Sequence, residues 1–167
     1  MTENNPASAN SVHTAVPESS KEGNASAAAV SLAYLAAAPL VIAAVLVASK
    51  TSDSALLLTF MGIYGAALIV FFGGVRWGVA VMAGNGPSFR SLIGAVLPLV
   101  AALPLFALQN PIVQFPAIMT IVGVVLVDDL IATRRGSGAP AWYLGVRLPL
   151  TALIEVSFLV ALVSFGA

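Results

Sequence analysis

The sequence predicts an all-α membrane protein, a polytopic bundle of five transmembrane helices. Three observations carry that expectation. The 167 residues are 59% hydrophobic and only 8% charged. Soluble domains carry about 25% charged residues, so this chain has too few charges to cover a water-facing surface. The apolar residues also gather into five long blocks, four of which reach the roughly 20 residues that a spanning helix requires. Finally, the stretch 55–82 holds one charge, Arg76. A guanidinium cannot shed its proton, and hydrocarbon tolerates it only when it is paired, hydrated or close to an interface.

Residues 1–27 are rich in Ser, Asn, Ala and Glu and have almost no large apolar side chain. Such a segment cannot bury enough surface to offset its chain entropy, so it reads as a disordered polar tail. Mixed charges and a late apolar run argue against a signal peptide. Glu3, Glu18 and Glu22, with no arginine, argue against a mitochondrial transit peptide. The single histidine, His13, lies in this tail and reads as a solvated side chain.

The membrane domain, 28–167, follows. The first span is expected at 28–48 and contains Pro39. The second, 55–82, has Ser52 or Asp53 available as a cap. The third, 92–108, follows Ser88, another capping residue. It is the shortest and holds Pro98 and Pro104. Only Gln109 and Asn110 precede Pro111, which suits the first turn of the fourth span at 112–131. Pro140 likewise introduces the fifth, 141–165. Pro116 and Pro149 lie inside or near the ends of spans, where neighbouring helices can satisfy a freed carbonyl. No internal repeat is visible, so an inverted-repeat transporter is not suggested.

Lysine and arginine set the expected orientation. With five spans, the tail, the second-to-third loop and the fourth-to-fifth loop share one side. That side carries Lys21, Arg90, Arg134, Arg135 and Arg147, with Arg76 nearby, against Lys50 on the other. Positive loops stay cytoplasmic, so the N-terminus is expected inside and the C-terminus outside. Trp142 and Tyr143 sit where an interfacial aromatic belt belongs.

The polar residues within the spans are few enough to take one by one. At about 100° per residue, Gly62, Gly65, Ala66, Ile69, Gly73, Arg76, Ala80, Ala83 and Gly84 share one side of the second span. Small residues mark close helix contact in membranes, so Arg76 is expected to face protein. Gly74 and Gly78 form a second small pair on another face. Asp128 and Asp129 lie near the end of the fourth span, where the macrodipole is negative and a carboxylate is disfavoured. They need a partner, and the expected buried pair is Arg76 with Asp128. Asp128 lies nearer than Asp129 to the small residues Pro116, Thr120 and Gly123. The plainer alternative leaves both aspartates solvated beside Arg134 and Arg135. Arg147, Thr151 and Glu155 recur at four-residue steps on the fifth span. Arg147 is expected to reach the interface. Glu155 lies about 12 Å deeper, as a protonated carboxyl bonded to Thr151 or to a neighbouring helix, or as a group that handles protons or ions.

Two runs resemble a known family. Phe71-Phe72-Gly73-Gly74-Val75-Arg76-Trp77-Gly78 is similar to the F-x-G-G-x-R-W-G signature of an uncharacterised membrane family, a domain of unknown function that includes transmembrane protein 69. Pro140-Ala141-Trp142-Tyr143-Leu144-Gly145-Val146-Arg147-Leu148-Pro149-Leu150-Thr151 is similar to that family's P-x-W-Y-x-x-x-R-x-x-L-T segment. Tyr34 near Pro39 and an aspartate at Asp128 also agree. The resemblance covers the chain from about Val30 to the C-terminus. Two features depart from the pattern: the Gly94-to-Pro98 stretch lacks its tryptophans, and Glu155 is not part of it. The resemblance implies a polytopic protein of a bacterial inner (plasma) membrane or, alternatively, a mitochondrial inner membrane. It implies no activity or catalytic residue.

Several functions are excluded at this level. Without cysteine there is no disulfide or thiolate site. No His/Cys/acid cluster suits a metal and no Ser–His arrangement suits hydrolysis, so neither an enzyme nor a cofactor is expected. Net charge is zero with no basic run, which argues against nucleic acid. Beyond the lipid bilayer, the expected partners are a second copy or a membrane protein complex. The first expectation is therefore a structural or assembly protein, with a polar cluster drawn from Arg76, Trp77, Asp128, Trp142, Arg147 and Glu155. The second is a proton- or ion-coupled transporter or channel using Arg76, Asp128 and Glu155. A lipid headgroup site at Arg76, Arg134, Arg135 and Arg147 is also compatible with the charges, although basic residues there more often signal topology.

Overall fold

Long apolar runs leave the backbone no way to satisfy its polar groups in lipid except as helices. The computed structural model, which describes residues 27–50, 53–84, 86–136, 139 and 142–166, contains five of them. They are α1 (Ala27–Ala48), α2 (Ser54–Val81), α3 (Phe89–Ala107), α4 (Pro111–Arg134) and α5 (Tyr143–Gly166). No strand occurs among the described residues, and all five helices are long and apolar enough to cross a bilayer. The expectations for the tail up to residue 26, including His13 and Lys21, and for Ser52, Pro140 and Ala141 lie outside the described residues.

Start signals decide the helix boundaries. The Ser88 hydroxyl accepts from the Ser91 amide, and α3 begins directly after it at Phe89. The third span is therefore a 19-residue helix that continues through Pro98 and Pro104, and it starts three residues before the expected 92. Asn110 caps α4 by accepting from the Ile112 amide, and Pro111 opens the helix. Asp53 occupies the N-cap position of α2 without a side-chain cap bond.

α2 packs against α1, α3 and α4, while α1 lies along α5 and α5 also meets α4. α3 and α4 pack sparsely, although they are consecutive. Glycines on the inner face of α2 set its distances to its neighbours. A Cβ on Gly65 would fall 2.5 Å from Phe158, and one on Gly62 would overlap the Gln114 side chain. Phe115 and Phe158 meet edge to face at 4.9 Å in the core beside Ile69, Ile118, Ile154 and Val122. Two side-chain bonds tie helices together. The Tyr64 hydroxyl of α2 donates to the Ala36 carbonyl of α1. Buried Gln114 donates to the Leu105 carbonyl at 2.8 Å, occupying one of the free acceptors at the end of α3.

Leu35, Leu56, Phe71, Val113 and Val163 project from the outside of the bundle. Water would make so extensive an apolar surface aggregate, whereas acyl chains solvate it.

Candidate functional site

The alternating helix directions bring the end of α2, the start of α3, the end of α4 and the start of α5 together. Among the described residues, the buried charges of the bundle other than Glu155 meet there. Arg76 donates from Nη2 to Asp128 Oδ2, and its Nε lies 3.3 Å from Asp129 Oδ1. Arg147 donates from Nε to Asp129 Oδ2 at 3.1 Å. The Tyr143 hydroxyl donates to the same oxygen at 3.3 Å. Two guanidinium groups thus face two carboxylates, and one network joins α2, α4 and α5.

The two aspartates play unequal parts, and not in the expected order. The Asp128 side chain is 47% exposed and holds Arg76 alone, whereas the Asp129 side chain is 5% exposed and holds both arginines. The expected Arg76–Asp128 pair thus forms with its carboxylate half exposed, and Asp129 is the buried centre. The reason is the face that α4 turns inward. It consists of bulky Phe115, Ile118, Val122 and Val125, with Gln114 and Asp129. Pro116 and Thr120 are exposed.

Arg147 also departs from expectation. It does not reach an interface but is 3% exposed, with its guanidinium carbon 3.4 Å from the centre of the Phe72 ring. Its Nη1 and Nη2 have no hydrogen-bond partner. The π face of Phe72 provides their electrostatic contact.

Trp77 is 47% exposed, and Trp142 occupies the turn before α5. Neither is bonded to the cluster among the described residues. Glu155 stands apart, deeper along α5. Thr151 Oγ1 and Glu155 Oε1 are both buried and neither accepts or donates a bond, so the expected Thr151–Glu155 bond is not formed. Asp129, Tyr143 and Phe72 are the members that the sequence reading missed. Charge counting would have found the first, because two inward arginines require two carboxylates.

Gly94 gives the cluster access to α3. A Cβ there would lie 3.1 Å from Arg76 Nη2 and 3.6 Å from Asp128 Oδ2. Beside this point opens a cavity of about 720 Å³ between α3 and α4. Arg76, Arg90, Asp128 and Arg135 lie on its wall at the cluster end, and Leu97 and Val124 line its apolar length. No group of acidic, histidine or cysteine residues suited to a metal occurs among the described residues.

Five apolar helices closed at one end by a shared ion-pair network define an integral, polytopic helical membrane protein. Comparison places it further: the chain belongs to the family described as protein of unknown function (DUF3429), whose model matches residues 25–163. No solved structure matches the chain.

Proposed function

We propose that the protein works by packing and assembly in a membrane and is not an enzyme. The observation that carries this reading is the self-neutralising cluster. Its two cations and two anions are bonded to one another across three helices. Charges engaged in this way hold helices in place. Removing Asp129, the shared anion, strands Arg147 in low dielectric, which is strongly destabilising. A rigid bundle that presents a broad apolar outer surface suits a second copy or a partner membrane complex, and it needs no cofactor or nucleic acid. Purification of the full chain in mild detergent tests this. The expected result is co-isolation of a second copy or a defined membrane partner. A monomer with no companion, whose proteoliposomes conduct protons in a way that Glu155→Gln abolishes, would replace this reading with the transport alternative.

The proposed membrane is a bacterial inner membrane, with a mitochondrial inner membrane as the alternative. The proposed orientation has the cluster end cytoplasmic and the C-terminus outside. Its support is the charge asymmetry: Arg90, Arg134 and Arg135 cap the cluster end and only Lys50 lies at the other among the described residues. A reporter active only outside the cytoplasm, fused after the last residue, is expected to be active. An inactive fusion beside an active N-terminal one reverses the topology.

A further inference from the structure

We infer that the cleft between α3 and α4 is a binding site for one anionic phospholipid, its phosphate held by Arg90 and Arg135 and an acyl chain laid along the apolar walls. Four observations converge on this occupant. First, consecutive helices joined by a tight connection ordinarily pack along their length, yet α3 and α4 meet sparsely. Gln114 ties them together at the connection through the Leu105 carbonyl. At the other end α3 is drawn onto α2, where a Cβ on Gly73 would come within 2.7 Å of the Ala95 carbonyl oxygen. The hairpin is held at one end and open at the other, which leaves a wedge of about 720 Å³.

Second, the wall is apolar along its length and charged at one end, which is the polarity of a lipid. Third, the charges at that end have an anionic complement missing. Arg76 and Arg147 are matched by Asp128 and Asp129. Arg90 and Arg135, both exposed and both on the cavity wall, pair with no carboxylate among the described residues. Cationic pockets between helices at a membrane face are suited to lipid phosphates. Fourth, the length fits. Arg90 and Ala101 both line the cleft, and α3 rises about 16 Å between them. That is about half of the roughly 30 Å hydrocarbon core, the depth of one leaflet and of one chain.

The cluster itself is part of the site's construction. The Arg76–Asp128 contact beside Gly94 closes the back of the cleft. A lipid would therefore take up the surplus cations without disturbing the bonded ones. This inference concerns a ligand and does not depend on the assembly reading: lipid retention and protein co-isolation are separate readouts.

Native mass spectrometry of the full chain, delipidated in mild detergent and titrated with phosphatidylglycerol, phosphatidylcholine or inorganic phosphate, tests the inference. Phosphatidylglycerol is expected to be retained as a single adduct at energies that strip phosphatidylcholine. The Arg90→Gln/Arg135→Gln double variant should weaken that retention roughly tenfold or more. Both arginines are exposed, so the melting temperature of the variant should match the parent. Ala101→Trp, which obstructs the cleft deep along α3, should abolish the adduct while leaving the charges intact. Equal retention of the two lipids overturns the inference, and so does a phosphatidylglycerol adduct indifferent to both variants. Full displacement of the lipid by inorganic phosphate would show a phosphate site without a chain-binding groove and overturns it equally.

Discussion

Asp129→Asn is expected to destabilise the bundle by about 3–5 kcal/mol, the cost of leaving a buried charge unpaired. The neighbouring Asp128→Asn should cost about 1 kcal/mol or less. The contrast follows from where each carboxylate sits. Asp129 accepts from Arg147 and Tyr143, and its second oxygen faces Arg76 Nε. Arg147 is 3% exposed and has no other carboxylate partner. Neutralising Asp129 therefore strands a guanidinium where neither water nor an anion reaches it. Asp128 is nearly half exposed, and its partner Arg76 keeps Asp129 when Asp128 is lost. Denaturation in mixed detergent micelles measures both variants. The double variant Asp129→Asn/Arg147→Met should recover most of the loss, because it removes the stranded cation with its anion. Equal losses for the two aspartates, or no rescue, would refute the assignment of Asp129 as the centre.

How far this site could be read in advance depended on the kind of signal each residue carried. The helices were legible because hydrocarbon imposes length and polarity on whole segments. α2 was expected at 55–82 and is Ser54–Val81. α3 was the exception: its prolines suggested a weak span, but the Ser88 cap and packing on α2 carry it through both. The inward face of α2 was legible through its membrane span because Gly62, Gly65, Ala66, Ile69, Gly73 and Ala80 fall on one side and are all buried, while Ala83 and Gly84, expected on the same face beyond the helix end, are half-buried and exposed. The same reasoning failed on α4. There the inner face is bulky, since a helix need not approach closely to bury phenylalanine and valine, and the small-residue rule pointed at Asp128. Arg147 was misplaced for a related reason. Its position in the second turn of α5 fits an interfacial residue, and nothing along the chain reports that Phe72 lies beneath it. Helical angle gives direction about one axis, whereas burial depends on which neighbour lies in that direction. Glu155 shows a further gap. Four-residue spacing placed it correctly on the stripe of Arg147 and Thr151, but spacing alone did not reveal that its Oε1 is buried without a partner.

Gly73→Leu is expected to separate α3 from α2 and to cost about 1–3 kcal/mol, the usual range for overpacking a close contact, with the upper end favoured by a backbone obstacle. Even the first carbon of a side chain at this position would lie 2.7 Å from the Ala95 carbonyl oxygen and 3.5 Å from Pro98. A rotamer change cannot relieve that clash, because the obstructing atom belongs to the main chain of α3. The helices must move apart, and Gly94, one residue before Ala95, must move with them. The Arg76 guanidinium rests against Gly94, so the same substitution should loosen the charged cluster as well as the helix pair. Gly74→Leu and Gly78→Leu are the controls. Nothing lies within 4 Å of a Cβ at either position, and removing glycine from a helix interior is mildly favourable in itself. Unfolding in detergent should thus rank Gly73→Leu well below the parent and the two controls at or above it. Cysteine pairs placed across α2 and α3 should cross-link less readily in the Gly73 variant. If all three leucine variants are equally stable, the close approach of α2 and α3 at Gly73 does not exist, and the geometry that opens the cleft between α3 and α4 fails with it.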